Sequence, residues 1–431
     1  LGRRTSVVAG KDEKDTEQFN TIVGASFAPD GFNRFSIEIS YNNNQDGSLT
    51  SIPGAGSTII DDDENDCGLS LRYTSTYDLF GRENKAILGV DVLKEEVDSA
   101  SFSNFPDPFF PFIQRQTTGY ERKILGVYLH DDFSVTDRIL LSMGARFDSA
   151  TFEYSSATQD YAAGTTTGTM GDRNFDRLSP KASVTYLITD HMSCYASYAK
   201  SFRLPNRDEL TGFFGFTPQL DPEEADSFEV GIKPRFGTLF SGGISLYHMK
   251  VEDEILLRPP NIGAFAFGQN ENFEEVTHRG VEISAESGII PRMTIFGSYT
   301  LVETEIERGV FKGSRLPITP KHSGYIGATL DLSHGLGLWS QVRFVGERYM
   351  VNDLANAFEK LPAYTVWDAK LSYTREVKPW SVSAFFGVNN ILDEDHEEFG
   401  GVGGFPFGSR KGFFPSPERS YTGGITLNVE L

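Results

Sequence analysis

Between residues 179 and 206 the chain alternates. Ala182, Val184, Tyr186 and Ile188 fall on one face of an extended run, with Lys181, Ser183 and Thr185 on the other. A polar turn follows at 187–191, and then a second run of the same kind. The pattern returns at the end of the chain. Tyr421, Gly423, Ile425, Leu427, Val429 and Leu431 share one side there, and Thr422, Gly424, Thr426, Asn428 and Glu430 the other. Residues 380–389 and 363–374 repeat it. Such runs, bounded by turn residues, recur every 20 to 30 residues or so and predict about seventeen strands.

The connections between them are of two kinds. Short ones lie at 27–33, 78–84, 133–138, 187–191, 234–237, 288–293, 332–337 and 375–379. Long ones are expected near 44–65, 96–118, 155–173, 204–225, 254–272, 305–320, 350–362 and 392–418. Short and long alternate strictly. A soluble sandwich has no reason to gather its long loops at one end, whereas an outer-membrane barrel has short periplasmic turns and long extracellular loops. Asp368, Lys370 and Arg343 sit mid-strand, where lipid would penalise them and a watery lumen would not. Tyr and Trp gather at strand ends, as an aromatic girdle requires. The expected fold is therefore all-β, a transmembrane antiparallel barrel.

Composition sharpens this. No stretch approaches ~18 consecutive apolar residues, so no transmembrane helix is expected; alternation hides a barrel from that test. A net charge of −21 leaves no basic stripe for nucleic acid. "LGRRTSVVAG" lacks the apolar region of a signal peptide. The last strand should end on the periplasmic side, so the strand at 18–28 descends and needs an ascending partner, for which only "RRTSVVAG" is available. With it the count becomes about eighteen, an even number as in most single-chain barrels. The expectation is that residues 1–431 begin inside a larger barrel.

Several motifs, in order, resemble one family. "LGVYLHDDFSVTDRILLSMGARFD" looks like its strand pair ending Gly-x-Arg-Tyr/Phe-Asp, here Gly144 to Asp148. "LSPKASVTYLITDHMSCYASYAKSFRLPN" is similar to its hairpin closing on Phe-Arg-x-Pro-Asn. "LDPEEADSFEVGIKPRFG" resembles its Leu-x-Pro-Glu segment followed by Glu-x-Gly-x-Lys, here Leu220 to Glu223 and Glu229 to Lys233. "FVGERY", "LPAYTVWDAKLSY", "FFGVNNILDEDHEEFG" and "PSPERSYTGGITLNVEL" match the closing strands. The chain thus resembles the TonB-dependent outer-membrane receptors of Gram-negative bacteria. The resemblance implies a barrel of about twenty-two strands with a plugged lumen. About 17–18 of those strands are visible, and the plug and first strands are expected to lie outside this sequence. It also implies import of a scarce small-molecule nutrient (a ferric siderophore, haem, cobalamin or a glycan) with energy relayed by a TonB-type coupling protein. Outer-membrane lipid and lipopolysaccharide (LPS) would surround it. The chain departs from many outer-membrane proteins in ending on Leu431 rather than an aromatic residue.

Two sets of residues are candidates for binding. Asp61, Asp62, Asp63, Glu64 and Asp66 fall together in one expected external loop. Clustered hard oxygen ligands suit Ca²⁺, but the spacing is not that of an EF-hand, and a solvated acidic tip is the favoured reading of the same residues. The long loops also concentrate Phe: Phe109 and Phe110; Phe213, Phe214 and Phe216; Phe265 and Phe267; Phe405 and Phe407. Either these line a mouth for a bulky, partly apolar ligand or a surface protein partner, or they bury one another. The seven His have no paired metal-ligand spacing, and no nucleophile elbow occurs, so no enzyme is expected. A docking platform for a surface protein is the alternative to transport; a passive porin is disfavoured by the motifs.

Cys67 and Cys194 should not be bonded. Counted through the meander they lie near opposite rims and about five strands apart, and strands are ~4.8 Å apart. A disulfide needs Cα atoms within about 7 Å. A thiol count on unfolded, non-reduced protein should find two free sulfhydryls; a Cys67–Cys194 cross-linked peptide would show the register to be wrong.

Overall fold

A strand with alternating apolar residues can give one face to a dry environment and the other to water, provided neighbouring strands pair its backbone groups. The computed structural model shows this arrangement throughout the residues it describes, which are 13–52, 56–105, 112–210, 218–258, 269–402 and 411–429. Among the described residues helix is confined to one turn, α1 (Arg207–Leu210), and a 3-10 turn at Ser333–Gly335. No helix among the described residues is long and apolar enough to cross a membrane.

The chain divides into two units, residues 1–183 with 199–224, and residues 184–198 with 225–431. The first contains β1 (Glu13–Phe27), β2 (Asn33–Ile52), β3 (Gly56–Leu79), β4 (Arg82–Phe105), β5 (Phe112–Thr136) and β6 (Ile139–Asp160), each paired antiparallel with the next. Strands β7 (Thr165–Thr189), β8 (Met192–Arg203) and β9 (Glu223–Phe236) contribute residues to both units. The second continues with β10 (Phe240–Arg258), β11 (Gln269–Ser287), β12 (Met293–Ile306), β13 (His322–Asp331), β14 (Leu336–Val345), β15 (Tyr364–Val377) and β16 (Trp380–Asn389). Its meander from β10 to β16 closes on β19 (Ser420–Val429), and a separate hairpin pairs β17 (Glu397–Val402) with β18 (Lys411–Pro415).

Register places like with like. In the first unit three consecutive rungs are almost wholly apolar. They run Phe27–Phe35–Tyr73–Leu88–Leu129, then Ala25–Ile37–Leu71–Val90–Val127–Phe147, then Val23–Ile39–Leu69–Val92–Leu125. One rung further on this face becomes Tyr41–Cys67–Lys94–Lys123; on the other side it becomes Asn33–Ser75 and reaches Asp131. The eight steps from Asn33 to Tyr41 span ~27 Å along the strand. That suits an apolar band ~25 Å tall. The second unit has an apolar face of its own, which carries Ile244–Ile283–Tyr299, Leu338–Leu371–Phe386 and Val382–Leu427. The opposite face carries Gln341–Asp368 and Lys370–Gly387–Thr422. The faces expected from alternation are those observed.

The connections need a correction. The expected long loops at 44–65, 96–118 and 155–173 are mostly ladder: β2 continues to Ile52, β4 to Phe105 and β6 to Asp160. Beyond the apolar band both faces are polar, so alternation ends while the backbone pairing does not. The acidic run 61–66 therefore lies within β3, not in a loop. Long connections do occur at 204–222, 307–321, 346–363 and 390–419. The opposite edge has tight turns, such as Phe80–Gly81, where both residues adopt positive φ (56° and 73°) and Asp78 accepts from the Gly81 N–H at 3.0 Å. Cys67 and Cys194 are both free.

Leu427 is exposed on the apolar face opposite Val382, and Thr426 on the polar face opposite Ser383. Leu427→Arg should block assembly, because Arg on the lipid side costs ~2–4 kcal/mol at mid-membrane. Thr426→Arg should assemble nearly as wild type. Equal folding yields in a heat-modifiability gel shift would contradict the faces.

Candidate ligand-binding face

In the first unit the polar face is built from ion pairs between neighbouring strands. Glu95 accepts from Tyr120 Oη at 2.7 Å and from Arg122 Nε at 3.1 Å, and all three side chains are largely buried. Arg146 bridges Asp91 and Asp148. It can do so because position 126 on the neighbouring strand is glycine: a Cβ there would run into the guanidinium.

The same face holds the connection at 204–222. Arg122 Nη1 donates to the Pro205 carbonyl at 2.9 Å, and Arg173 Nη1 to those of Pro218 and Leu220 at 3.0 and 2.6 Å. Arg203 joins Glu209 and Glu223. Asn206 caps α1 reciprocally: its side chain accepts from the Glu209 N–H at 2.8 Å, and the Glu209 carboxylate accepts from the Asn206 N–H at 2.9 Å. Leu210 and Leu220 are buried.

In the second unit, the connections 307–321 and 346–363 pack with the β17–β18 hairpin into two small cores. Val276, Ile306, Leu316 and Leu354 form one; Met350, Leu361 and Val402 form the other. Asp353, also buried, accepts from the N–H groups of Ala357 and Phe358 at 2.7 and 3.1 Å. Arg348 is only 3% exposed. Its Nη2 donates to the carbonyls of Glu397 and Glu398 at 2.6 and 2.9 Å, and its Cζ lies 5.3 Å from the centre of the Tyr364 ring. His396 packs on that ring at 4.3 Å. Burial pushes the Arg348 pKa down, but a guanidinium begins so high that it stays charged. Carbonyl dipoles and a ring face replace water around it.

A family model described as TonB dependent receptor-like, beta-barrel, matches residues 2–391. The chain belongs to this family. The family is one of outer-membrane receptor-like barrels and not of enzymes, and the chain matches its barrel portion. The metal-pseudopaline receptor CntO of Pseudomonas aeruginosa is 24% identical over 306 residues, 68% of this chain and 40% of that protein. The ferrichrome outer membrane transporter/phage receptor of Escherichia coli K12 is 27% identical over 284 residues, 64% of this chain and 35% of its own length. The receptor thus spans less than half of either relative. Among solved structures, the ferric yersiniabactin uptake receptor FyuA of Yersinia pestis superposes with a TM-score of 0.78 at 17% identity. The match covers 96% of this chain and 61% of FyuA. In this family's fold the apolar face meets lipid and the polar face lines the lumen.

The sequence-predicted binding residues fall differently on the receptor. Phe109, Phe110, Phe213, Phe214, Phe216, Phe265, Phe267, Phe405 and Phe407 all lie outside the described residues. Near them, Phe413 packs on the core around Met350, while Phe414 stays exposed and meets Phe399 edge-on at 5.3 Å. The acidic residues divide between the two faces of β3. Asp61 and Asp63 share the side of Leu69, and Asp62, Glu64 and Asp66 take the other. Asp63 accepts from Asn43 at 3.1 Å, and Asp66 from Asn42 at 3.1 Å. Among the described residues no group of three or more His, Cys, Asp or Glu is placed to hold a metal ion.

Sequence reasoning missed the arginine anchors. Arg203 lies in "FRLPN", Arg146 in "GARFD" and Arg348 in "FVGERY", so the motifs that marked the family already contained them. Arg122 had no such signal. Arg122→Met should cost about 3–5 kcal/mol by leaving Glu95 charged and unpaired. Adding Glu95→Gln should restore much of this. Urea midpoints of the single and double variants check it, and equal midpoints would remove the pair from the account.

Proposed function

We propose that the receptor captures a metal chelate of the siderophore class at its outer edge and imports it with energy from a TonB-type protein. The observation that carries this reading is the anchoring of the long connections, by Arg122, Arg173 and Arg203 in one unit and Arg348 in the other. Connections left as coil would have to be ordered by each incoming ligand, whereas anchored ones meet it with that entropy already lost. The names of the relatives supply the ligand class: metal-pseudopaline, ferrichrome and ferric yersiniabactin are all metal chelates. An inner wall of alternating Asp, Glu and Arg then offers a wet, polar route past the lipid. A plug that gates the route is part of the proposal.

Deleting the gene should abolish growth under iron limitation, or under limitation of another chelated metal, with one chelate as sole source. Uptake of that labelled chelate should fall to background and return with the full gene. Uptake unchanged across hydroxamate, catecholate, carboxylate and opine-type chelates would sink the reading in favour of a docking role.

A further inference from the structure

One rung on the polar face of the first unit sets two carboxylates side by side. It runs Asn42–Asp66–Glu95–Arg122–Phe152 across β2 to β6, just beyond the apolar band. Asp66 and Glu95 are direct cross-strand partners, a placement in which Cβ atoms lie ~5 Å apart and like charges repel. The cluster deeper in the wall avoids this, because its Arg146 guanidinium bridges Asp91 and Asp148. Here the order along the rung is acid, acid, base.

Glu95 is well served. It accepts from Tyr120 Oη at 2.7 Å and from Arg122 Nε at 3.1 Å, and Arg122 Nη2 reaches it as well. Burial and the Glu95 charge push the Tyr120 pKa up, so the phenol remains a donor. Asp66 is not so well placed. Its Oδ2 accepts from Asn42 Nδ2 at 3.1 Å, but its Oδ1 is buried and has no hydrogen-bond partner among the described residues. The charged and titratable groups around it are Glu64 on its own strand, Glu95 from β4, and Tyr120 and Arg122 from β5, while β2 offers the neutral Asn42. Arg122 is the single cation in that set. A carboxylate with a bare buried oxygen beside a second carboxylate is costly when ionised and much less so when protonated. Burial, with the Glu95 charge behind it, accordingly raises the Asp66 pKa against the pull of Asn42 and Arg122.

Arg122 carries that charge state outward. Its Nη1 donates to the Pro205 carbonyl at 2.9 Å, next to the Asn206 that caps α1. We propose that Asp66 and Glu95 form a proton-controlled latch on residues 204–210. With Asp66 protonated, Glu95 alone claims the guanidinium, and its Nη1 stays on Pro205. With Asp66 ionised, the second carboxylate draws Arg122 towards β3 and off the Pro205 carbonyl, and the segment loosens. The folded wall favours the protonated carboxyl, so the latch is closed in acid and opens as pH rises through the folded pKa of Asp66. It belongs to the first unit alone and holds whatever the receptor imports.

Hydrogen exchange of the full-length receptor in detergent, scanned from pH 4 to pH 8 and corrected for intrinsic rates, reads the latch in the amides of residues 206–210. They should be about tenfold better protected at the acid end, the worth of one hydrogen bond from a charged group. The midpoint should lie above the ~4 of an ordinary Asp. Asp66→Asn should keep the segment protected throughout. Asn42→Ala, which removes the one hydrogen bond favouring the ionised form, should move the midpoint to higher pH, and it decides the matter if Asp66→Asn fails to assemble. Protection that does not change with pH in wild type, a change that survives Asp66→Asn, or a midpoint that stays or falls in Asn42→Ala would overturn the latch. None of these readouts involves uptake, so the proposed transport function stands or falls separately.

Discussion

Inside a bilayer no water is available to a peptide N–H or C=O, and everything else in the receptor follows from satisfying those groups with neighbouring strands. The ladder must be unbroken, so in the first unit β1 to β6 each pair with the next, from Glu13↔Leu49 to Gln114↔Asp160, and in the second β10 to β16 do the same and end on Trp380↔Val429 with β19. A continuous ladder has only two faces. One must suit lipid, which fixes the rungs from Phe35 to Ile39 and from Leu338 to Phe386 as apolar. The other is then released from hydrophobicity altogether and can carry charge.

That released face is where the receptor places its ion pairs. Asp91 and Asp148 with Arg146 lie between strands at a depth where a charge on the opposite face would be costly, and Glu95 with Arg122 sits just beyond that band. Their geometry also fixes the connections that fold onto the wall, since Arg122 spends part of its fork on Glu95 and part on the Pro205 carbonyl. Arg348 solves a related problem without a close carboxylate among its described contacts, using two main-chain carbonyls and the Tyr364 ring.

The parts of this architecture legible in the sequence were those with a period. Leu427, Phe386, Leu371 and Trp367 could be assigned to a face because alternation is local and needs no knowledge of the partner strand. The ladder beyond the band was not legible. Asp61, Asp63 and Asp98 have water on both sides, so nothing in their hydropathy separates strand from loop, and only the pairing with β4 reveals it. The wall contacts were hidden for another reason. Arg173 and Leu220 are 47 residues apart, and no spacing rule links an arginine to a distant carbonyl. Motifs helped only in marking positions such as Arg203 and Asp148, without saying what they hold.

The extension of β3 beyond Cys67 has a mechanical consequence. The eleven steps back to Gly56 reach ~37 Å along a hydrogen-bonded ladder. A segment of that length left as coil would sweep a wide volume and meet large molecules at random orientations. As sheet it behaves as a stiff palisade, braced on one side by β2 and on the other by β4. Any large molecule approaching this edge would then encounter a fixed surface, and single-residue changes along its solvent-facing sides would alter that surface without loosening the apolar wall below.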